Sequence, residues 1–181
     1  MLAFPLVFLS TGWCLLPYPG LNYDEVMFAN AQFHLSSAVL FGVTVFHHAV
    51  PLMSYMHVGA LKSWLYAPIL ALFEPSYVSV RLPVLLFGGF TVWLVIRLLE
   101  AMHSRRAAWI GGLLLATDST FILTTCFDWG TVALQLLLLA AGLLLVLKFA
   151  VSANPLALFC GFCCFGLGMW DKALFIWVLG G

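Results

Sequence analysis

The stretch LPVLLFGGFTVWLVIRLL, residues 82–99, decides the fold. It runs for 18 residues with Arg97 as its one charge, close to the roughly 20 apolar residues a helix needs to cross a bilayer core. Two stretches of 19 residues follow, AAWIGGLLLATDSTFILTT (107–125) and WGTVALQLLLLAAGLLLVL (129–147). Another extends from about Leu156 to Trp177, with Asp171 and Lys172 near its far end. Upstream, residues 1–18 are also apolar. They carry no basic leader and no small-residue cleavage signal, so they read as a membrane helix and not as a removed signal.

The rest of the chain agrees. Hydrophobic residues make up 64% of the 181 residues, DEKR only 8%, and mean hydropathy is +1.11. Too few polar residues remain to build a water-facing surface, which excludes an ordinary soluble domain. The expected fold class is an all-α polytopic membrane protein. It forms one membrane domain with spans at 1–18, 82–99, 107–125, 129–147 and 156–177 and a long loop at 19–80. Net charge is formally zero and no basic tract exists, so nucleic acid is not an expected partner. Of the five cysteines, Cys160, Cys163 and Cys164 form one CxxC-containing run without a second pair or a neighbouring histidine. Small polarizable residues packing inside a helix bundle account for them better than zinc or redox chemistry. The histidines, His47-His48 included, lack metal-ligand spacing with a carboxylate. No cofactor is expected, and nothing in the sequence supports a divalent metal.

Basic residues set the orientation. Arg97, His103, Arg105 and Arg106 cluster at one turn and Lys148 follows the next-but-one span, so alternating spans put both on one side. By the positive-inside rule that side is cytoplasmic, and the loop 19–80 lies outside. Within the loop, Asp24–Phe46 is mostly apolar with interspersed polar residues and no proline, which predicts a helix along the membrane surface, ended by Pro51. Leu61–Phe73 predicts a second surface helix, interrupted at Pro68 and closed by Glu74-Pro75.

Charges are scarce enough to be informative. Asp24 and Glu25 stand side by side where the first span meets water, a candidate site as well as a simple polar loop. Asp128 is 21 residues along from Ala107, roughly 31 Å at ~1.5 Å per residue, and so reaches the same outer face; it also suits a helix cap. Asp118 is only 11 residues along, near mid-membrane. There a bare carboxylate costs several kcal/mol, and a role in breaking or packing the helix is expected. Lys62 and Arg81 flank the second surface helix. They suit either a phosphate at the membrane surface or anchoring to lipid headgroups.

Taken in order, the first span, Asn22-Tyr-Asp-Glu-Val26, Gly59-Ala-Leu-Lys-Ser-Trp-Leu65, Val80-Arg-Leu-Pro83, Phe127-Asp-Trp-Gly130 and Trp170-Asp-Lys172 carry a resemblance. The chain resembles the N-terminal part of a GT-C glycosyltransferase. The group is that of dolichyl-phosphate-mannose protein mannosyltransferases and their bacterial lipid A aminoarabinose transferase relatives. The resemblance implies a GT-C-like helix bundle with amphipathic surface helices in the first outer loop, in a bacterial plasma membrane. It implies inverting transfer of a sugar from a polyprenyl-phosphate donor to a hydroxyl of a lipid, glycan or protein acceptor. It also implies roles: Asp24 as the carboxylate that activates the acceptor, with Glu25 beside it; Asp128 as the second outer carboxylate; Lys62, and more weakly Arg81, as contacts to the donor phosphate. Family members have many more spans, so the chain is expected to be a fragment or a degenerate relative. The competing reading is a non-catalytic small membrane protein, a transporter or an assembly subunit. A transporter places polar residues at mid-membrane in several spans, whereas here the charges gather on the outer face with Asp118 as the exception.

Overall fold

The computed structural model describes residues 2–18, 20–30, 39–45, 48–127 and 129–180. Helices dominate. α1 (Ala3–Leu15) and α2 (Tyr23–Asn30) lead into a three-stranded antiparallel sheet of β1 (Phe41–Val45), β2 (His48–Tyr55) and β3 (Val58–Gly59). Then come α3 (Leu61–Leu72), α4 (Tyr77–Met102), α5 (Arg105–Thr117), α6 (Ser119–Cys126), α7 (Val132–Ser152), α8 (Pro155–Asp171) and α9 (Phe175–Gly180).

Among the described residues, two single helices are long and apolar enough to cross a bilayer, α4 with 26 residues and α7 with 21. At ~1.5 Å per residue they measure about 39 and 31 Å. α5 and α6 together would make a third, bent by 55°. This is an integral membrane protein. α4, α5 and α8 each start at a residue whose side chain satisfies an orphan amide. Ser76 and Ser79 form a reciprocal capping box on α4, Ser104 accepts from the Ala107 amide, and Asn154 accepts from Leu156 ahead of Pro155 at the first helical position.

The helix over 107–125 breaks at Asp118. Its backbone is extended (φ −66°, ψ 119°) and Oδ1 accepts the Phe121 amide at 2.6 Å, so the carboxylate caps α6. Its depth follows from the packing. Gly112 lies against Ile96 and Gly88 against Thr125, which puts Asp118 beside the middle of α4. Gly88 is needed for this approach: a methyl there would sit 2.5 Å from Thr125 and 2.7 Å from the Phe8 ring. The membrane core is built around Phe8, Leu85, Val92, Ile96, Phe121 and Cys126, all buried.

The loop 19–80 departs from expectation. Within the predicted surface helix over 24–46, Tyr23–Asn30 is helical and Phe41–Val45 is a strand, while 31–38 lie outside the described residues. Val43, Thr44 and Val45 pair in register with Val50, Ala49 and His48, a β-branched hairpin that extended backbone suits better than helix. Pro51 sits inside β2, opposite the irregular step between Phe41 and Gly42, where a missing amide is tolerated. The second surface helix forms as α3 and continues through Pro68. The span expected over 156–177 stops at Asp171, and Lys172 is extended instead (φ −155°, ψ 118°). A second buried cluster of Met27, Phe28, Val58, Tyr66, Leu70, Val80 and Ala133 seats α2, β3 and α3 on the ends of α4 and α7.

Candidate active site

Asn22 precedes α2, and the Glu25 carboxylate reaches back to its amide (2.6 Å), the acidic half of a capping box. Asp24 and Glu25 thus occupy the first turn, where the helix dipole favours negative charge. Successive helical side chains diverge by about 100° at 3.6 residues per turn, so the two carboxylates point into different surroundings.

Glu25 points inward and is fully buried. Arg81 grips it through two parallel bonds, Nε to Oε1 at 2.6 Å and Nη2 to Oε2 at 2.9 Å. The same guanidinium donates to the carbonyls of Leu16 (2.7 Å), Tyr18 (3.2 Å) and Gly20 (3.0 Å). Arg81 therefore closes the C-terminal end of α1 while holding the N-terminal end of α2. The resemblance implied a catalytic role for Glu25 and a phosphate contact for Arg81; in the structure the two are enclosed and engaged with each other.

Asp24 is half-buried and lines a cleft of about 250 Å³ with Met27, Phe28, Tyr55, His57, Val58, Gly130, Thr131 and Lys172. Four chain segments meet there: α2, the β2–β3 turn, the start of α7 and the end of α8. Backbone bonds hold the walls together. Ala173 N donates to His57 O (3.0 Å), Val58 bridges to Lys172, and the Trp170 indole donates to Leu52 O (3.1 Å). Gly130 has φ +70°, a left-handed backbone that favours glycine, and the place a Cβ would take is 3.8 Å from Asp24 Oδ2. The Phe127–Gly130 turn and the acidic pair are thus neighbours. Asp128 itself lies outside the described residues, as do His34 and His47.

Lys62 is placed behind the cleft wall. Its side chain is buried, Nζ donates to the Gly130 carbonyl (2.5 Å), and it lies over the Phe28 ring at 4.4 Å from the centroid. The cation that lines the cleft directly is Lys172, which spacing alone did not single out as a site residue. Tyr55 was missed as well. Its hydroxyl meets that of Tyr23 at 3.0 Å across the cleft mouth. The bond with Tyr23, followed by burial and the negative charge of Asp24, pushes the Tyr55 phenol above its ordinary value. Among the described residues no three His, Cys, Asp or Glu side chains group as metal ligands.

The family model for dolichyl-phosphate-mannose-protein mannosyltransferase matches residues 57–179. The match contains Lys62, Arg81, Asp118, Gly130 and Lys172 and begins after the helix that bears Asp24 and Glu25. No curated protein and no solved structure matches the chain.

Proposed function

The chain belongs to the dolichyl-phosphate-mannose-protein mannosyltransferase family, a group of GT-C-type glycosyltransferases, and from that we propose that it transfers a hexosyl group from a polyprenyl-phosphate donor to an acceptor hydroxyl at the outer membrane face. The observation that carries this reading is a carboxylate and a cation on one cleft, Asp24 and Lys172. Asp24 is the general base: it takes the proton of the acceptor hydroxyl as that oxygen attacks the anomeric carbon. The bond between that carbon and the phosphate oxygen breaks, and its electron pair leaves on the polyprenyl phosphate. Attack opposite a departing phosphate inverts the anomeric centre. Lys172 faces the leaving phosphate, and the charge of Lys62 supports it from behind Gly130. Glu25 and Arg81 act through Asp24: by fixing both helix ends they hold α2 against the cleft. Asp128, two residues before Gly130 in sequence, completes the outer-face carboxylates in this reading. The setting is the extracytoplasmic face of a bacterial plasma membrane, with a lipid, glycan or protein as acceptor.

Transfer assays in membranes test this. Asp24→Asn preserves shape but removes the base, and turnover falls ~10²–10⁴-fold. Glu100→Gln, in an exposed pair with Arg97 (3.2 Å) far from the cleft, leaves turnover unchanged. Wild-type turnover in Asp24→Asn would remove the base from this position.

A further inference from the structure

Two hydroxyls on the cleft remain unassigned by the transfer chemistry. Thr131 occupies the residue before α7, where a threonine ordinarily caps the helix, yet its side chain makes no capping bond. The residue is 2% exposed, and Oγ1 has no hydrogen-bond partner among the described residues. Buried hydroxyls are rarely left so, and this one borders the cleft. Tyr55 lies on the same cleft. It shares one hydrogen bond with Tyr23, which uses one of the two phenolic protons and leaves the other to be donated elsewhere. The cleft is therefore walled by two residues whose hydroxyl groups keep a proton to donate, Thr131 with Oγ1 closed to solvent and Tyr55 at its contact with Tyr23. Its size is selective too. About 250 Å³ lies below the ~300–1,000 Å³ of pockets for drug-sized ligands, so a small ligand group suits it better than an oligosaccharide.

We propose that this cleft is a one-ring sugar site in which Thr131 and Tyr55 read hydroxyls of the transferred hexose. The inference rests on the glycosyl-transfer reading above and adds to it the residues that choose the sugar. Each hydroxyl pairs with a sugar hydroxyl, and a donor lacking that hydroxyl leaves a protein group unpaired. Tyr23 is a positioning residue, since it acts by holding Tyr55.

The test uses the full protein in membranes, with short-chain polyprenyl-phosphate mannose, glucose and galactose, then the monodeoxy versions of whichever is transferred. Expected is a loss of about tenfold or more in kcat/KM for Thr131→Val and Tyr55→Phe with the parent sugar. Each variant also loses discrimination against one particular deoxy position, and Thr131→Ser restores it. Tyr23→Phe retains that discrimination, because the Tyr55 hydroxyl survives. If wild type transfers a sugar and both variants keep the wild-type deoxy pattern, the inference is overturned while the transfer reading stands. If wild type transfers none of the three hexoses, the inference falls together with its premise.

Discussion

Arg81 and Glu25, separated by 56 residues in sequence, meet in a bidentate ion pair that is closed to solvent at both ends (side-chain exposures 1% and 0%). Removing one partner leaves the other charged and buried, which typically costs about 3–5 kcal/mol. Glu25→Gln and Arg81→Met are each expected to lower the thermal unfolding midpoint in detergent sharply. The double variant Glu25→Leu/Arg81→Met recovers only part of the loss, because the carbonyls of Leu16, Tyr18 and Gly20 lose their donor as well. Full recovery would reduce Arg81 to a counter-ion.

In the proposed reading, Lys172 separates binding of the donor from chemistry. Loss of a charge-assisted contact to phosphate is worth about ten- to a hundredfold in affinity. Lys172→Ala is expected to raise KM for a polyprenyl-phosphate sugar by that factor, and Lys172→Arg to keep most of the wild-type value. An unchanged KM in Lys172→Ala would place the phosphate elsewhere.

The Tyr55 phenol has a direction that can be measured. Its folded-state pKa is raised above the ordinary 10.0, so the protonated form is favoured by folding. That contribution is fully present below pH 10 and is lost as pH rises through the folded value. Tyr23→Phe removes the largest cause. Ultraviolet titration of the variant is expected to show one phenol ionising at lower pH than in wild type. Coincident titration curves would mean the Tyr23–Tyr55 bond does not form.

Orientation is tested by labelling. With the native cysteines replaced, Met56→Cys in the β2–β3 turn is expected to react with an impermeant maleimide on intact cells, and Ser104→Cys to react only after lysis; both positions are exposed. The opposite pattern inverts the orientation and removes the outer-face site.

Membrane helices and the break at Asp118 were legible because hydropathy and an N-capping Thr-Asp-Ser-Thr run are local properties. The sheet was not. Residues 41–59 hold apolar side chains without clean alternation and a proline in mid-strand, so the helix and strand periods compete. The Trp170 indole, the Ala173 amide and the Val58–Lys172 bridge, more than 100 residues away in sequence, help hold the extended form in place. Asp24 could be singled out from charge scarcity, but its separation from Glu25 into a different environment depends on where Arg81 lies. Thr131 and Tyr55 carry no signal in sequence at all, since hydroxyl groups become informative only when their bonding partners are known.

The Val58–Lys172 bridge also has a consequence for biogenesis. One cleft wall arises from residues 55–58 and the wall it pairs with from residues 172–173, so the ribosome must deliver more than 110 intervening residues before the two can join. Closing so long a loop is entropically costly and slow, and it follows insertion of both long helices. The cleft is therefore incomplete until Lys172 has been made. The order of synthesis itself thus sets when the cleft can form.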